Sequence, residues 1–131
     1  MVKTILIIDD DQDFAKACKN LLDSAGYSAE FETREQSAID RINKIKPDLI
    51  LLDVVMSNET SGFSIAGKIS ADPGLKNIPV FFLTGYFKED TMREQESDIF
   101  SRFPCVKAII DKPVKPGILI EHIKKNSIPI R

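Results

Sequence analysis

Long apolar runs are missing from this chain of 131 residues. None approaches the ~20 residues that a helix needs to span a bilayer, which excludes a membrane-spanning helix. Metal-binding and cross-linking side chains are scarce too. There is one histidine, His122, and there are two cysteines, Cys18 and Cys105, far apart in sequence. That set matches neither the spacing of a zinc site nor the disulfide framework of a small secreted domain. No charge of one sign dominates, because 18 basic side chains meet 20 acidic ones for a formal net charge of -2. A broad electrostatic footprint for nucleic acid is therefore not expected. The first residues, Met-Val-Lys, enter a strand-like run at once and do not form a signal peptide. No repeat, linker or low-complexity stretch interrupts the remainder. The expectation is one domain over residues 1–131 in a reducing cytoplasm, large enough to bury a genuine core.

What is present is an alternation of two periods. Thr4–Ile8 is an unbroken β-branched and leucine run, suited to a strand buried on both faces. Phe14, Ala17, Cys18, Leu21, Leu22 and Ala25 then recur at helical spacing, and Gly26 closes that helix. Tyr27, Ala29 and Phe31 alternate with polar residues as a half-exposed strand does. Thr33-Arg34-Glu35-Gln36 has the form of a capping box before Ala38, Ile39, Ile42 and Ile45, and Pro47 stops that helix. Leu49–Leu52 is a third strand run, ending on Asp53. A polar loop, Ser57 to Ser61, leads to Gly62 and a short helix with Phe63, Ile65, Ala66 and Ile69, ending near Asp72-Pro73-Gly74.

Pro79–Leu83 is the fourth strand run and ends on Thr84-Gly85. Residues 88–100 are charged and weakly periodic, and read as helix. Val106–Ile110 is the fifth strand run, ending on Asp111-Lys112-Pro113. Pro116 suits the first turn of a last helix, with Ile118, Leu119, Ile120 and Ile123 as its apolar contacts. Strands separated by helices with short connections predict an α/β fold, a doubly wound parallel sheet with right-handed crossovers. In such sheets the working crevice lies beyond the carboxyl ends of the strands.

That rule turns scattered polar residues into one site. The first strand run ends at Asp9 and Asp10, the third at Asp53, the fourth at Thr84 and the fifth at Lys112. Glu32 ends the second, at a sheet edge from which it need not reach the crevice. Carboxylates this close repel one another, and a hard divalent cation such as Mg²⁺ relieves that repulsion. With the Lys112 ammonium and the Thr84 hydroxyl, the set suits the oxygens of a transferring phosphoryl group. A carboxylate can itself be the nucleophile and form an aspartyl-phosphate. Asp11 and Asp13 fall at the start of the first helix, where an acid caps free N–H groups and favours the dipole. Asp9, Asp11 and Asp13 also mimic the opening of a calcium loop, but Phe14 and Asn20 stand where that loop needs glycine and glutamate. Cys18 reads as a small core residue and His122 as boundary packing without a second ligand. Tyr86, Phe87, Phe100 and Phe103 suit either a partner surface or packing under the fourth helix. Lys124-Lys125 reads as a solvated helix end.

The order IIDDD, LILLDVVM, FFLTG, DKPV, across essentially the whole chain, resembles the receiver domain of two-component response regulators. The resemblance implies a flavodoxin-like (βα)5 sheet of order 2-1-3-4-5. With Arg131 just after the last helix no output domain is expected in this chain, which is either a receiver acting alone through protein contacts or one excised from a longer chain. It implies that Asp53 is the phosphoacceptor, taking its phosphoryl group from a histidine kinase or a histidine phosphotransfer protein. Asp9 and Asp10 match the acid pair that holds Mg²⁺, and Val55 matches the residue whose backbone carbonyl ligates the metal. Thr84 matches the hydroxyl residue that swings onto the phosphoryl group and Lys112 the lysine that pairs with it. Pro113 follows a bond typically cis in the family. The implied role is a cytoplasmic signalling module, not an enzyme, acting through a downstream protein and not through nucleic acid or membrane. It is implied to be a monomer, or a dimer formed on phosphorylation.

Four positions depart from the family pattern. Ser57 replaces a usual proline, and the Ser57 to Ser61 loop is slightly long. Ile109 stands where an aromatic residue often rotates with the threonine. The stretch from Gly85 to Val106 is longer than typical by roughly six residues, somewhat under two helical turns. Val55 and Tyr86 flank the site without a group to orient water, so a slowly decaying aspartyl-phosphate is expected. Two other readings compete. A small Mg²⁺-dependent phosphohydrolase would want a general acid where Val55 stands, and a degenerate receiver that only binds partners is at odds with the five complete site residues.

Overall fold

The branched run of Thr4–Ile8 forms strand β1, and its four residues Ile5 to Ile8 are wholly buried. The computed structural model describes residues 4–54, 61–85 and 98–125. Within them follow α1 (Gln12–Ser24), β2 (Ser28–Glu32), α2 (Ala38–Ile45), β3 (Leu49–Asp53) and α3 (Ser61–Ala71). Then come β4 (Val80–Thr84), a helical stretch α4 at 98–102, β5 (Val106–Asp111) and α5 (Pro116–Lys125). The strands make one parallel sheet of order β2-β1-β3-β4-β5. This is the flavodoxin-like order.

Alternation along the three central strands divides the core in two. Leu6, Ile8, Ile50, Leu52, Val80 and Phe82 pack with side chains of α2, α3 and α4. Ile5, Ile7, Leu49, Leu51, Phe81 and Leu83 pack with α1 and α5. Each such side chain, fully buried, contributes about 1.5–3 kcal/mol relative to exposure. Phe82 anchors the first layer, edge-on to Phe63 and Phe103, which stack on each other at 5.8 Å. Phe103 is thus a core residue, while Phe100 is exposed.

The two sheet edges differ: β2 pairs with β1 in unbroken register, and the β5 edge is irregular. On β5 the register slips, so that Val80 pairs with Val106 but Phe81 with Ala108. The bulge leaves Lys107 exposed, its ammonium donating to Pro104 O at 2.8 Å, and puts Val106 and Ala108 in opposite layers. Along the β2 edge, Arg41 of α2 donates to Phe31 O at 3.4 Å and to Glu30 at 3.3 Å, and approaches Glu32 at 3.6 Å.

Helix ends follow local chemistry. Asp11 is the N-cap of α1, accepting from Phe14 N–H at 3.1 Å, and Asp13 lies in the first turn, as expected. At the other end Gly26 takes φ 98°, its N–H donating to Asp23 O and that of Tyr27 to Leu22 O, a Schellman closure. Asp23 also accepts from Lys19 at 2.6 Å and from Ala29 N–H, and these hold its carboxyl below the usual value.

Three local expectations need correction. Thr33 is not a cap. A 3-10 turn, Glu35–Ser37, precedes α2, extended Arg34 stands at its start, and neither Arg34 nor Ser37 makes a side-chain cap. The Glu32 carboxylate takes the Arg34 N–H instead, at 2.9 Å. The buried stripe of α1 is Ala15, Cys18 and Leu22, whereas Ala17 and Ala25 are exposed, because sheet packing sets the helix's rotation. Ile118 is 45% exposed, α5 burying only Leu119 and Ile123. The helix expected over 88–100 is seen from residue 98, its earlier part lying outside the described residues.

Candidate functional site

Parallel register places the strand-end residues side by side. Ile8 pairs with Leu52, Asp53 with Leu83 and Thr84 with Asp111. One step beyond Ile8 is therefore Asp9, level with Asp53, and one step beyond Asp111 is Lys112, next to Thr84. The backbone fixes that arrangement: Asp9 N–H donates to Glu32 O at 3.1 Å, Val54 N–H to Leu83 O at 3.0 Å and Lys112 N–H to Thr84 O at 2.9 Å. Asp9, Asp53 and Thr84 are buried, at 0%, 5% and 2% exposure, and they are the buried polar side chains of the described core. A carboxylate out of water needs partners, and Asp9 has them. One oxygen accepts Asp11 N–H at 2.9 Å, and the other binds the Lys112 ammonium at 2.7 Å.

Lys112 is the positive centre. Its Nζ lies 3.6 Å from Asp53 Oδ1 and 4.4 Å from the centroid of the Phe14 ring. Burial opposes its charge, but the hydrogen bond and charge of Asp9, with the charge of Asp53, outweigh burial and raise its pKa above the ordinary lysine value. The Lys112–Pro113 bond is cis, as the resemblance implies.

Asp9, Asp10 and Asp53 each offer an oxygen within 4.8 Å of the others, with Asp10 exposed. Three carboxylates against one ammonium leave excess negative charge, and three hard oxygen donors fit a hard divalent cation such as Mg²⁺. Val55, Ser57 and Tyr86 lie outside the described residues, as does the expectation of slow phosphate decay that rests on two of them. Ile109 is half-buried and packs on the α2/α3 layer. Glu32 is turned to Arg34 and Arg41, away from this cluster. His122 packs edge-on to Phe81, and no second histidine or cysteine joins it among the described metal-ligand clusters.

Gly62 is the residue that sequence reasoning undervalued. Its N–H donates to Val54 O at 2.9 Å, tying the start of α3 to the residue after Asp53. A Cβ there would press on Asp53 O and lie 2.5 Å from Val54 Cα and 2.7 Å from Val54 O, all backbone atoms. A glycine in the first turn of a helix that follows a polar loop was the available signal.

Cys18 is buried beside the site, and burial first, then the Asp9 charge, pushes its thiol up to about 11 despite the opposing charge of Lys112. A raised folded value adds stability below the unfolded pKa and loses it as pH rises through the folded one. Wild-type stability should therefore fall by about 2 kcal/mol more than that of Cys18→Ala between roughly pH 8 and 12. Urea unfolding of both across that window checks it, and parallel curves would contradict it.

Comparison with known proteins agrees with this geometry. The response regulator receiver domain family matches residues 5–124. The polar-differentiation response regulator DivK of Brucella anthropi is 30% identical over 124 residues, covering 95% of each chain. Among solved structures, the receiver domain of a DNA-binding response regulator from Colwellia psychrerythraea 34H superposes with TM-score 0.79 at 29% identity, covering 94% of this chain and 96% of that one. Chemotaxis response regulator CheY4 of Vibrio cholerae shares the fold, with TM-score 0.78 at 21% identity over 96% and 99% of the two chains. Among the described residues no helix is long and apolar enough to cross a membrane. A parallel sheet of this order, acids and a lysine gathered at its strand ends, and a family match over nearly its whole length place the chain in the response regulator receiver domain family of two-component signalling.

Proposed function

We propose that this receiver accepts a phosphoryl group on Asp53 from a phosphohistidine of a histidine kinase or histidine phosphotransfer protein. The observation that carries the reading is the setting of Asp53, a 5%-exposed carboxylate at the end of the central strand with a lysine ammonium 3.6 Å away. An Asp53 oxygen forms the new O–P bond as the P–N bond to the donor imidazole breaks, and the freed imidazole is the leaving group. Asp9, Asp10, Asp53 and the Val55 carbonyl would hold Mg²⁺, which when bound neutralises charge on the phosphoryl oxygens. Lys112, already between Asp9 and Asp53, supplies a fixed positive charge to an oxygen of the product. Thr84, on the adjoining strand end, supplies a hydroxyl.

A dianion where a single carboxylate stood redraws the contacts of Thr84 and Lys112. Both lead directly into the segments before β5 and α5, so the surface formed by the last two helices is the element to be switched for a downstream protein. With Ile109 aliphatic, that switch runs without the aromatic rotation common in the family.

Incubation with acetyl phosphate and Mg²⁺, read by intact mass, tests the assignment. One phosphate per chain is expected, abolished by Asp53→Asn. No uptake, or uptake that survives the substitution, refutes it. Steady release of phosphate from an added ester would instead make the chain a hydrolase.

A further inference from the structure

The acid cluster and the first helix are joined by a closed circuit of contacts. Asp9 Oδ1 accepts the Asp11 N–H at 2.9 Å, Asp11 Oδ1 accepts the Phe14 N–H at 3.1 Å, the Phe14 ring lies 4.4 Å from Lys112 Nζ, and Lys112 returns to Asp9 Oδ2 at 2.7 Å. A ring centroid within about 6 Å of an ammonium attracts it through the ring quadrupole. Phe14 is half-buried, so the contact is partly desolvated. Its position is set twice, by the cap that Asp11 provides and by the groove it lines with Ala17, Leu21, Pro113 and Val114.

We propose that Phe14 is a positioning residue for phosphoryl transfer, holding the Lys112 ammonium over the acceptor while its hydrogen-bond partners change. The inference rests on Asp53 being the acceptor. Before transfer the ammonium is bound to Asp9 and lies at a looser 3.6 Å from Asp53. Once Asp53 carries a phosphoryl group, the best acceptor is a new oxygen, and the ammonium must pivot toward it. Hydrogen bonds are directional and have to be broken and remade in that movement. Attraction to a ring face is broad in direction, so it persists throughout. The ring therefore limits the excursion of a flexible four-carbon side chain without fixing which oxygen it serves.

The test compares Phe14→Leu, which keeps apolar bulk and loses the ring, with Phe14→Tyr, which keeps the ring face. Phosphorylation of Asp53 by acetyl phosphate with Mg²⁺ is expected to slow roughly three- to tenfold in Phe14→Leu and to recover in Phe14→Tyr. In a Lys112→Met background the same leucine substitution is expected to have no further effect, since the ring acts through the ammonium. An equal slowing in that background would mean a merely structural role, and no slowing in the single variant would overturn the proposal outright. A second readout does not depend on phosphorylation. The ring should shift the Lys112 ε-methylene proton resonances upfield in the wild type, and Phe14→Leu should abolish that shift. Absence of the shift in the wild type refutes the contact even if Asp53 proves not to be the acceptor, whereas failure of phosphate uptake with the shift intact refutes the acceptor assignment alone.

Discussion

Gly62→Ala is expected to lower the unfolding free energy by about 3 kcal/mol and to slow phosphate uptake on Asp53. Two effects oppose each other. Alanine is the better helix former, by about 1 kcal/mol in a helix interior. Against that, the new methyl would sit 2.5 Å from Val54 Cα and 2.7 Å from Val54 O, and closer still to Asp53 O. A crowded side chain can swing away; these are backbone atoms at the end of a buried central strand and cannot. Relief has to come from α3 moving off or from the Asp53–Val54 peptide tilting, and either weakens the 2.9 Å bond from Gly62 N–H to Val54 O. The steric term wins. Urea unfolding and acetyl phosphate kinetics measure the two consequences, and a variant as stable as the wild type would show that α3 is not clamped there.

Lys112→Met should destabilise the metal-free protein by about 3 kcal/mol near neutral pH. Methionine replaces the stem but leaves Asp9, wholly buried, without its charged partner, and leaves Asp53 facing two other acids. The Asp11 N–H bond remains and prevents the loss from being larger. Because the Lys112 pKa is raised, its contribution is complete below about pH 10.5 and disappears as pH climbs through the folded value. The gap between variant and wild type should hence persist from pH 6 to 9 and close only in strong alkali. Millimolar Mg²⁺ should narrow it at neutral pH, since a bound dication relieves the same repulsion. Urea titrations with chelator and with Mg²⁺ decide the matter. A gap that metal leaves unchanged would indicate that the acids and the lysine are not competing for one charge balance.

Much of this site was legible in the sequence because it depends on where strands stop. Ile5 to Ile8, Leu49–Leu52 and Pro79–Leu83 are apolar runs whose ends are marked by the first polar residue, and parallel register brings those ends together. Asp9, Asp53 and Thr84 follow from that one regularity, and Asp10 and Lys112 stand one residue beyond the first polar residue after their runs. What was not legible depends on distances between backbones or on helix rotation. Gly62 has a packing reason that exists only once α3 is seated against Val54. Phe14 reads as one more apolar helix residue, although its ring meets Lys112, 98 positions away by subtraction of their numbers. Ala15 and Ala17 lie about 200° apart around α1, on opposite flanks of its apolar stripe, and hydrophobic spacing does not resolve which flank the sheet covers. Thr33 had the composition of a cap, but the backbone turned one residue later.

The treatment of the two sheet margins bears on how the protein behaves among copies of itself. A parallel sheet that does not close presents a row of unpaired amides and carbonyls at each side, a template for adding a foreign strand. On one side the bulge with exposed Lys107 interrupts the regular spacing such a strand would need and sets a charge there. On the other, the Arg41 guanidinium occupies Phe31 O and spreads charge between Glu30 and Glu32. Each margin is thereby a poorer template for a foreign strand than a regular, uncharged edge would be.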